Sequence, residues 1–453
     1  MLITRAVRFL FTTTRGAVLV VFALGLLTYG GFTVFYVGTS TIKHAVDVDA
    51  DLGGPIWALI DQDEYTLRAR EMISGEPYRD TYRQPLFPAF HAVVLLVCGE
   101  HPTLLYNRLA DAVLAAGGCV VIYLLGRRLF GHTVGLLSGL VSTVHINMVQ
   151  KYGYIWAEVL AVPLLVLAVY FFVGFADNRR WRDLLLGGLF VGLSTLARPT
   201  AYYLVFLLPV WLWVLYGRIG KPMLVRSAAA VAVILVVLAP WAIHNTVLTG
   251  QFMPISGPKW TLLCGCYAPE QFDELLGANK GAFVPIWQPE YGYFPAPEQV
   301  TPGAIDRVEQ EETYRELFPG ILRRVWRRIP ELCVYRTLVF LSLYKSPGRE
   351  GIFYVAYHVQ QIVLFALFVA GVWLTRRQWR RLFPVYLVLF LLGVVVALGL
   401  GGLPRWRIPV EPFIVIFASA CVVWFVEKYV LRKPRPLDLA ARSDPAPSAS
   451  PRP

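Results

Sequence analysis

Apolar residues gather along this chain into long runs separated by short arginine-rich stretches, and about ten runs are long enough to be read as membrane-spanning helices. They cover 16–36, 109–125, 134–149, 158–175, 184–197, 202–216, 227–243, 352–374, 383–400 and 408–430. The first run is longer than the core of a secretory signal and no small-residue cleavage site follows it, so it is read as a retained span. A further apolar stretch, Leu86 to Cys98, would invert the sidedness of every later loop if it crossed the membrane. It is expected to be an interfacial or re-entrant helix. Just before it the pattern changes. In Asp61-Gln-Asp-Glu-Tyr-Thr-Leu-Arg-Ala-Arg-Glu-Met-Ile, the residues Tyr65, Ala69, Met72 and Ile73 recur at i, i+4, i+7 and i+8, the apolar stripe of a short amphipathic helix. Asp61 lies one turn before Tyr65 on that face and is expected to point toward the bilayer, with Asp63 pointing away.

Composition agrees: of 453 residues 56% are apolar and 16% charged, which fits an all-α polytopic membrane protein and not a water-soluble one. Arginine and lysine fix the expected orientation, because short positive loops stay on the cytoplasmic side. With the N-terminus inside, Arg5, Arg8 and Arg15, then Arg127 and Arg128, Arg179 and Arg180, Arg218, Lys221 and Arg226, Arg376 to Arg381, and Lys428 to Arg435 all fall in the cytoplasm. Both termini are therefore expected inside, in a plasma (bacterial inner) membrane. The net charge of +12 is mostly this anchor pattern, and no nucleic-acid partner is implied.

Two external loops follow, 37–107 with the acidic cluster and 246–351, and the transmembrane unit is read as 1–433. Arg323, Arg324, Arg327 and Arg328 lie in the second loop, interleaved with Leu317, Ile321, Leu322 and Val325 at helical spacing. They read either as an amphipathic helix on anionic head groups or as a contact to a lipid-linked phosphate. Residues 434–453, rich in Pro, Ala and Ser, are read as a disordered cytoplasmic tail. Cys98, Cys119, Cys333 and Cys421 sit in or beside apolar runs and act as small hydrophobes, while one residue between Cys264 and Cys266 makes a bridge there strained. No zinc spacing, phosphate-cradling glycine loop or nucleophile elbow occurs, which argues against an ATP-driven pump.

Asp61 with Tyr65, Gly75-Glu-Pro-Tyr78 and Tyr82-Arg-Gln-Pro-Leu-Phe-Pro88 together resemble the first external loop of bacterial GT-C glycosyltransferases. The likeness is to the dolichyl-phosphate-mannose-protein mannosyltransferase-like family, which includes the lipid A aminoarabinose transferases. Asn107-Arg-Leu, Gly126-Arg-Arg-Leu-Phe-Gly131, Glu158, Arg198-Pro-Thr, Pro240-Trp-Ala-Ile-His-Asn245 and Arg407-Ile-Pro-Val-Glu-Pro412 extend it, in family order, over nearly the whole chain. The sequence departs from the family at His244, where arginine is commoner.

The resemblance implies a GT-C-like bundle that transfers a sugar from a polyprenyl-phosphate donor to a protein, lipid or glycan acceptor at the external membrane face, by inverting displacement. Such a reaction needs a carboxylate to take the proton of the acceptor hydroxyl. Asp61 is the first candidate and Asp63 the second. The spacing Asp61-x-x-Glu64 also reads as a capping box, which would tie Asp61 to backbone amides. Glu158, at the start of the fourth span, is a third acid; by resemblance it helps place the acceptor or a divalent cation (Mg²⁺ or Mn²⁺), with Asp61 and Asp63 as co-ligands. The lipid phosphate needs cations at external span ends: Arg407 foremost, with Arg405, Arg83, Arg198 and Lys345. Glu64, Tyr65, Tyr82, His244 and Asn245 are candidates for sugar and acceptor contacts, and Trp241, Trp260 and Trp406 read either as stacking platforms or as an interfacial belt. The alternative is a transporter or flippase of a lipid-linked sugar. That reading finds no internal repeat to support it.

Overall fold

The computed structural model describes residues 12–40, 56–75, 83–99, 103–255, 304–341, 352–395 and 407–432, with positions 78, 80, 263, 267 and 398; for 36–40, 56–63, 103–104, 304–311, 313, 335, 339 and 352–354 only the backbone is described. The described residues form helices and no strand. In chain order these are α1 (Thr14–Ser40), α2 (Ile56–Ser74), α3 (Leu86–Cys98), α4 (Thr103–Phe130), α5 (His132–Thr143), α6 (Ile146–Tyr152), α7 (Glu158–Asn178), α8 (Trp181–Ala197), α9 (Leu204–Tyr216), α10 (Lys221–Thr249), α11 (Ala304–Val325), α12 (Ile329–Phe340), α13 (Ile352–Thr375), α14 (Trp379–Val395) and α15 (Glu411–Phe425). The expected tail, Cys264 and Cys266 lie outside the described residues.

Among the described residues, seven helical segments are long and apolar enough to cross a membrane, where ten spans were expected. Three effects account for the difference. The runs 352–374 and 383–400 fall in α13 and α14, which a 3-10 turn at Arg376–Gln378 joins, so that they count as one segment of 41 residues, Val355–Val395. The run 134–149 is broken: α5 stops at Thr143, and His145 caps α6 by accepting the Met148 N–H at its Nδ1, 3.4 Å away. The break is pinned by Gln360 of α13, which accepts the Ile146 N–H at 2.9 Å and donates to Val144 O at 3.4 Å. Helix α8, at 17 residues, falls just short in length.

Helix α4 is the hub, packing against α1, α3, α5, α7 and α15. Its approach to α5 is close because the facing residue is glycine: a side chain at Gly135 would press on the Tyr123 carbonyl at 2.6 Å. Helices α7 and α8 form an antiparallel hairpin, α10 covers α8, and α13 packs on α15. The stripe of α2 does not face lipid. Tyr65 packs on Phe87, while Ala69, Met72 and Ile73 pack on Ala92 and Leu95 of α3, so protein covers it. Helix α3, with 13 residues, extends only about 20 Å and cannot cross a ~30 Å core on its own.

The two sets of polar residues sort to opposite ends of the bundle, as the loop charges required. At one end Arg381 joins Asp177 to the C-terminal carbonyls of α4. At the other lie the starts of α4, α7 and α15 and the ends of α8 and α10.

Candidate functional site

Three arginine–glutamate pairs mark the second end. The first joins α2 to the segment before α3: the Arg83 guanidinium meets the Glu64 carboxylate at 2.6 Å and lies over the Tyr65 ring. The same segment is held a turn further along α2, where Arg68 donates from Nε to Asp80 Oδ2 at 3.0 Å and reaches Glu71 at 2.5 Å. Asp80 also accepts the Arg83 N–H through Oδ1 at 3.2 Å. Burial works against the charge of Arg68, yet Glu71 and Asp80 outweigh it and its pKa is raised. The Tyr78 hydroxyl donates to Arg83 O at 3.0 Å, and the Tyr78 ring meets Trp241 edge-on; Trp241 is buried and stacked on His244. Burial, and then Asp80, push the Tyr78 phenol well above its ordinary value, so it acts as a neutral donor.

The second pair sits where the α7–α8 hairpin opens. Glu158 begins α7 and Arg198 follows the end of α8, so the antiparallel arrangement itself brings them to 2.6 Å. Glu158 is almost wholly buried, and a carboxylate in that position needs such a partner.

The third pair is the deepest. Arg407 and Glu411 are one helical turn apart at the start of α15, both 0% exposed, with Nε 2.9 Å from Oε1. Arg407 donates to the Phe340 carbonyl at 3.1 Å, which ties α12 to the bundle. Glu411 also accepts from Asn147 Nδ2 at 3.2 Å and lies 3.3 Å from His145 Nε2. Because His145 Nδ1 accepts the Met148 N–H, its proton sits on Nε2, facing Glu411. Tyr152 feels an acid of both the second and the third pair: burial, then Cys119, Glu158 and Glu411, raise its phenol well above the ordinary value.

Of the sequence-derived candidates, Asp61 and Asp63 have described backbone only. Helix α2 starts at Ile56, so Asp61 lies in its second turn and is not an N-cap residue, which removes the capping-box reading. Glu64 is turned to Arg83 instead. The structure brings together Glu64, Tyr65 and Arg83; Glu158 and Arg198; and, through Tyr78, the first loop and His244. Asn245 is buried and donates to Met253 O at 3.4 Å. Tyr82, Lys345 and Arg405, as well as Trp260 and Trp406, lie outside the described residues. Among the described residues no three His, Cys, Asp or Glu side chains gather as metal ligands. Sequence reasoning gave no role to Asp80, His145, Asn147, Tyr152 or Glu411. Only Glu411 left a usable signal, its i, i+4 spacing from Arg407.

A family profile described as dolichyl-phosphate-mannose-protein mannosyltransferase matches residues 82–244, the interval from the first loop to His244 that encloses Glu158 and Arg198. Among solved structures, the apo oligosaccharyltransferase of Archaeoglobus fulgidus is similar with TM-score 0.51 and 15% identity, over 82% of this chain and 47% of that one. The same enzyme tethered to an acceptor peptide containing the NVT sequon gives TM-score 0.50 and 13% identity, over 84% and 48%. ArnT from Cupriavidus metallidurans bound to undecaprenyl phosphate gives TM-score 0.37 and 16% identity, over 80% and 73%, too loose a superposition to carry argument. At these identities the archaeal match establishes the GT-C fold alone, and the chain spans about half the length of that enzyme. No curated protein matches the chain. The matched interval thus holds Arg83 and Arg198, while Arg407 lies in the turn that leads into α15.

Proposed function

We propose that the chain transfers a sugar from a polyprenyl-phosphate donor to an envelope acceptor at the external membrane surface, with inversion and with Asp61 as general base. The observation that carries this reading is the overlap between the family segment, whose name specifies a dolichyl-phosphate-linked donor, and the arginines at one end of the bundle. In that reading the acceptor hydroxyl gives its proton to Asp61 as its oxygen attacks the anomeric carbon, and the prenyl phosphate departs with the bonding pair. Its growing charge needs arginine donors nearby. We assign that task to Arg83 and Arg198, whose side chains are 9% and 11% exposed, and assign Arg407, fully enclosed and balanced by Glu411, to holding α12 and α15 in place.

Asp61→Asn tests the reading, with Asp63→Asn beside it. In nanodiscs supplied with a radiolabelled polyprenyl-phosphate sugar, Asp61→Asn is expected to lower kcat by roughly 10²–10⁴-fold, the usual contribution of a positioned base. Asp63→Asn is expected to lose far less. Undiminished transfer by Asp61→Asn overturns the assignment, and a wild-type protein that moves the labelled lipid across the bilayer without cleaving it favours the flippase.

A further inference from the structure

Helix α2 and the segment before α3 are joined by two ion pairs of opposite polarity. Helix α2 supplies an acid at Glu64 and a base at Arg68, one turn apart, and the segment answers with Arg83 and Asp80. A shift of one turn would set Arg68 against Arg83 in one direction or Glu64 against Asp80 in the other, so the pattern permits one register and repels both neighbours. Asp80 couples the two pairs. One of its oxygens takes the Arg68 Nε–H, the other takes the backbone N–H of Arg83, and the carboxylate has no solvent exposure. Moving Asp80 therefore moves the residue that carries the Arg83 guanidinium.

We propose that Asp80 is a positioning residue: it sets where the Arg83 guanidinium stands relative to the acidic face of α2, and through it the affinity for an anionic phosphate ligand. The proposal rests on the glycosyltransferase reading for the identity of that ligand, but the clasp itself does not. Asp80 is not in the reacting shell, since both of its carboxylate oxygens are engaged by the protein. Its effect is on binding more than on the chemical step.

Two measurements on the full chain in nanodiscs decide it. In steady-state transfer, Asp80→Ala is expected to raise KM for the prenyl-phosphate sugar by about tenfold while kcat changes by less than about threefold. Asp80→Asn, which keeps an oxygen for the Arg83 N–H and loses the charge, is expected to fall between Asp80→Ala and wild type. Arg68→Met combined with Asp80→Ala should raise KM no further than Asp80→Ala alone, because Arg68 reaches the Arg83 segment through Asp80 and its other partner, Glu71, lies on α2 itself. In hydrogen exchange, Asp80→Ala should speed exchange at the Arg83 amide and in α2, leaving α7 and α15 at the wild-type rate. An unchanged KM, a loss confined to kcat, or exchange that rises evenly through the bundle overturns the proposal, the last by showing a merely destabilised protein. If wild type transfers no sugar, the function reading fails and the exchange measurement alone decides the clasp: local acceleration keeps it and an unchanged Arg83 amide removes it.

Discussion

The two ends of the bundle both bury an arginine against a carboxylate, and they use it differently. At the Asp177 end, Arg381 is fully committed. Its fork meets both Asp177 oxygens at 2.6 and 3.2 Å, and its remaining donors reach Leu129 O, Arg128 O and Gln378 Oε1. Those carbonyls are the free ones that any helix C-terminus leaves, so Arg381 caps α4 while pinning α7 and α14 to it. At the Glu158 end polar groups exceed their partners. The Tyr152 hydroxyl, both amide atoms of Asn107 and Asp111 Oδ2 are buried and have no hydrogen-bond partner among the described residues. A buried polar atom left unmet costs about 1–3 kcal/mol, so a fold keeps such atoms mainly where water or a ligand uses them. Among the described residues unmet atoms also occur at the Asp177 end, at Arg226 Nε and Ser227 Oγ, so the contrast is between the Arg381 cluster, which is saturated, and the cluster around Glu158, which is not.

The largest effect expected from this contrast is at Glu411. Glu411→Leu would leave the Arg407 charge enclosed with no counter-ion, a loss of about 3–5 kcal/mol. Thermal unfolding in nanodiscs should show it as a sharply lower Tm or a failure to accumulate folded protein. Arg407→Met together with Glu411→Leu removes both charges and is expected to recover most of that stability. The recovered protein then separates frame from site: if Arg407 only holds α12 and α15, transfer returns with stability, and if it meets the donor phosphate, the protein is stable and inactive.

A smaller effect is expected at the saturated end. Asp177→Asn leaves Arg381 its carbonyl partners and Gln378, and a quarter of the Asp177 side chain already meets solvent, so the cost is about 1–2 kcal/mol. The kcat per folded molecule should equal that of wild type. A specific loss of kcat there, with Tm little changed, would break the contrast between the ends.

How much of this was legible in the sequence depended on whether the signal was local. Apolar runs placed most of the helices, and of the arginine clusters read as lying on one side, those at Arg127–Arg128, Arg179–Arg180 and Arg376–Arg381 do fall at the same end of the bundle. The stripe of α2 was read correctly as Tyr65, Ala69, Met72 and Ile73. Its partner was not, because nothing in α2 says whether lipid or α3 will cover it. The break at His145 was hidden inside an apolar run, since a hydropathy pattern has no term for a histidine ring accepting a backbone N–H or for Gln360 arriving from α13. Arg83, Arg198, Arg407 and Glu158 were singled out as ions at span ends. That each arginine would be matched to a glutamate could be foreseen only for Arg407 and Glu411, which share one helical turn. Arg83 and Glu64 are 19 positions apart and Arg198 and Glu158 are 40 apart, so only the folded hairpins bring them together.

The smallest expected effect is the most discriminating about the surplus. Tyr152→Phe removes a hydroxyl that has no hydrogen-bond partner among the described residues and leaves the ring packed against Tyr29. If the hydroxyl only fills space, the change is neutral or stabilising by up to about 1 kcal/mol, because an unmet polar atom has been taken out of a buried position. Its phenol, kept protonated by burial and by the fields of Cys119, Glu158 and Glu411, is available to donate a hydrogen bond to an anionic or hydroxyl-bearing ligand entering there. On that account Tyr152→Phe should leave Tm unchanged or higher while raising KM for donor or acceptor severalfold. Equal KM values for both substrates would make the surplus at this end an ordinary packing defect, and the contrast between the two ends would then rest on Asn107 and Asp111 alone.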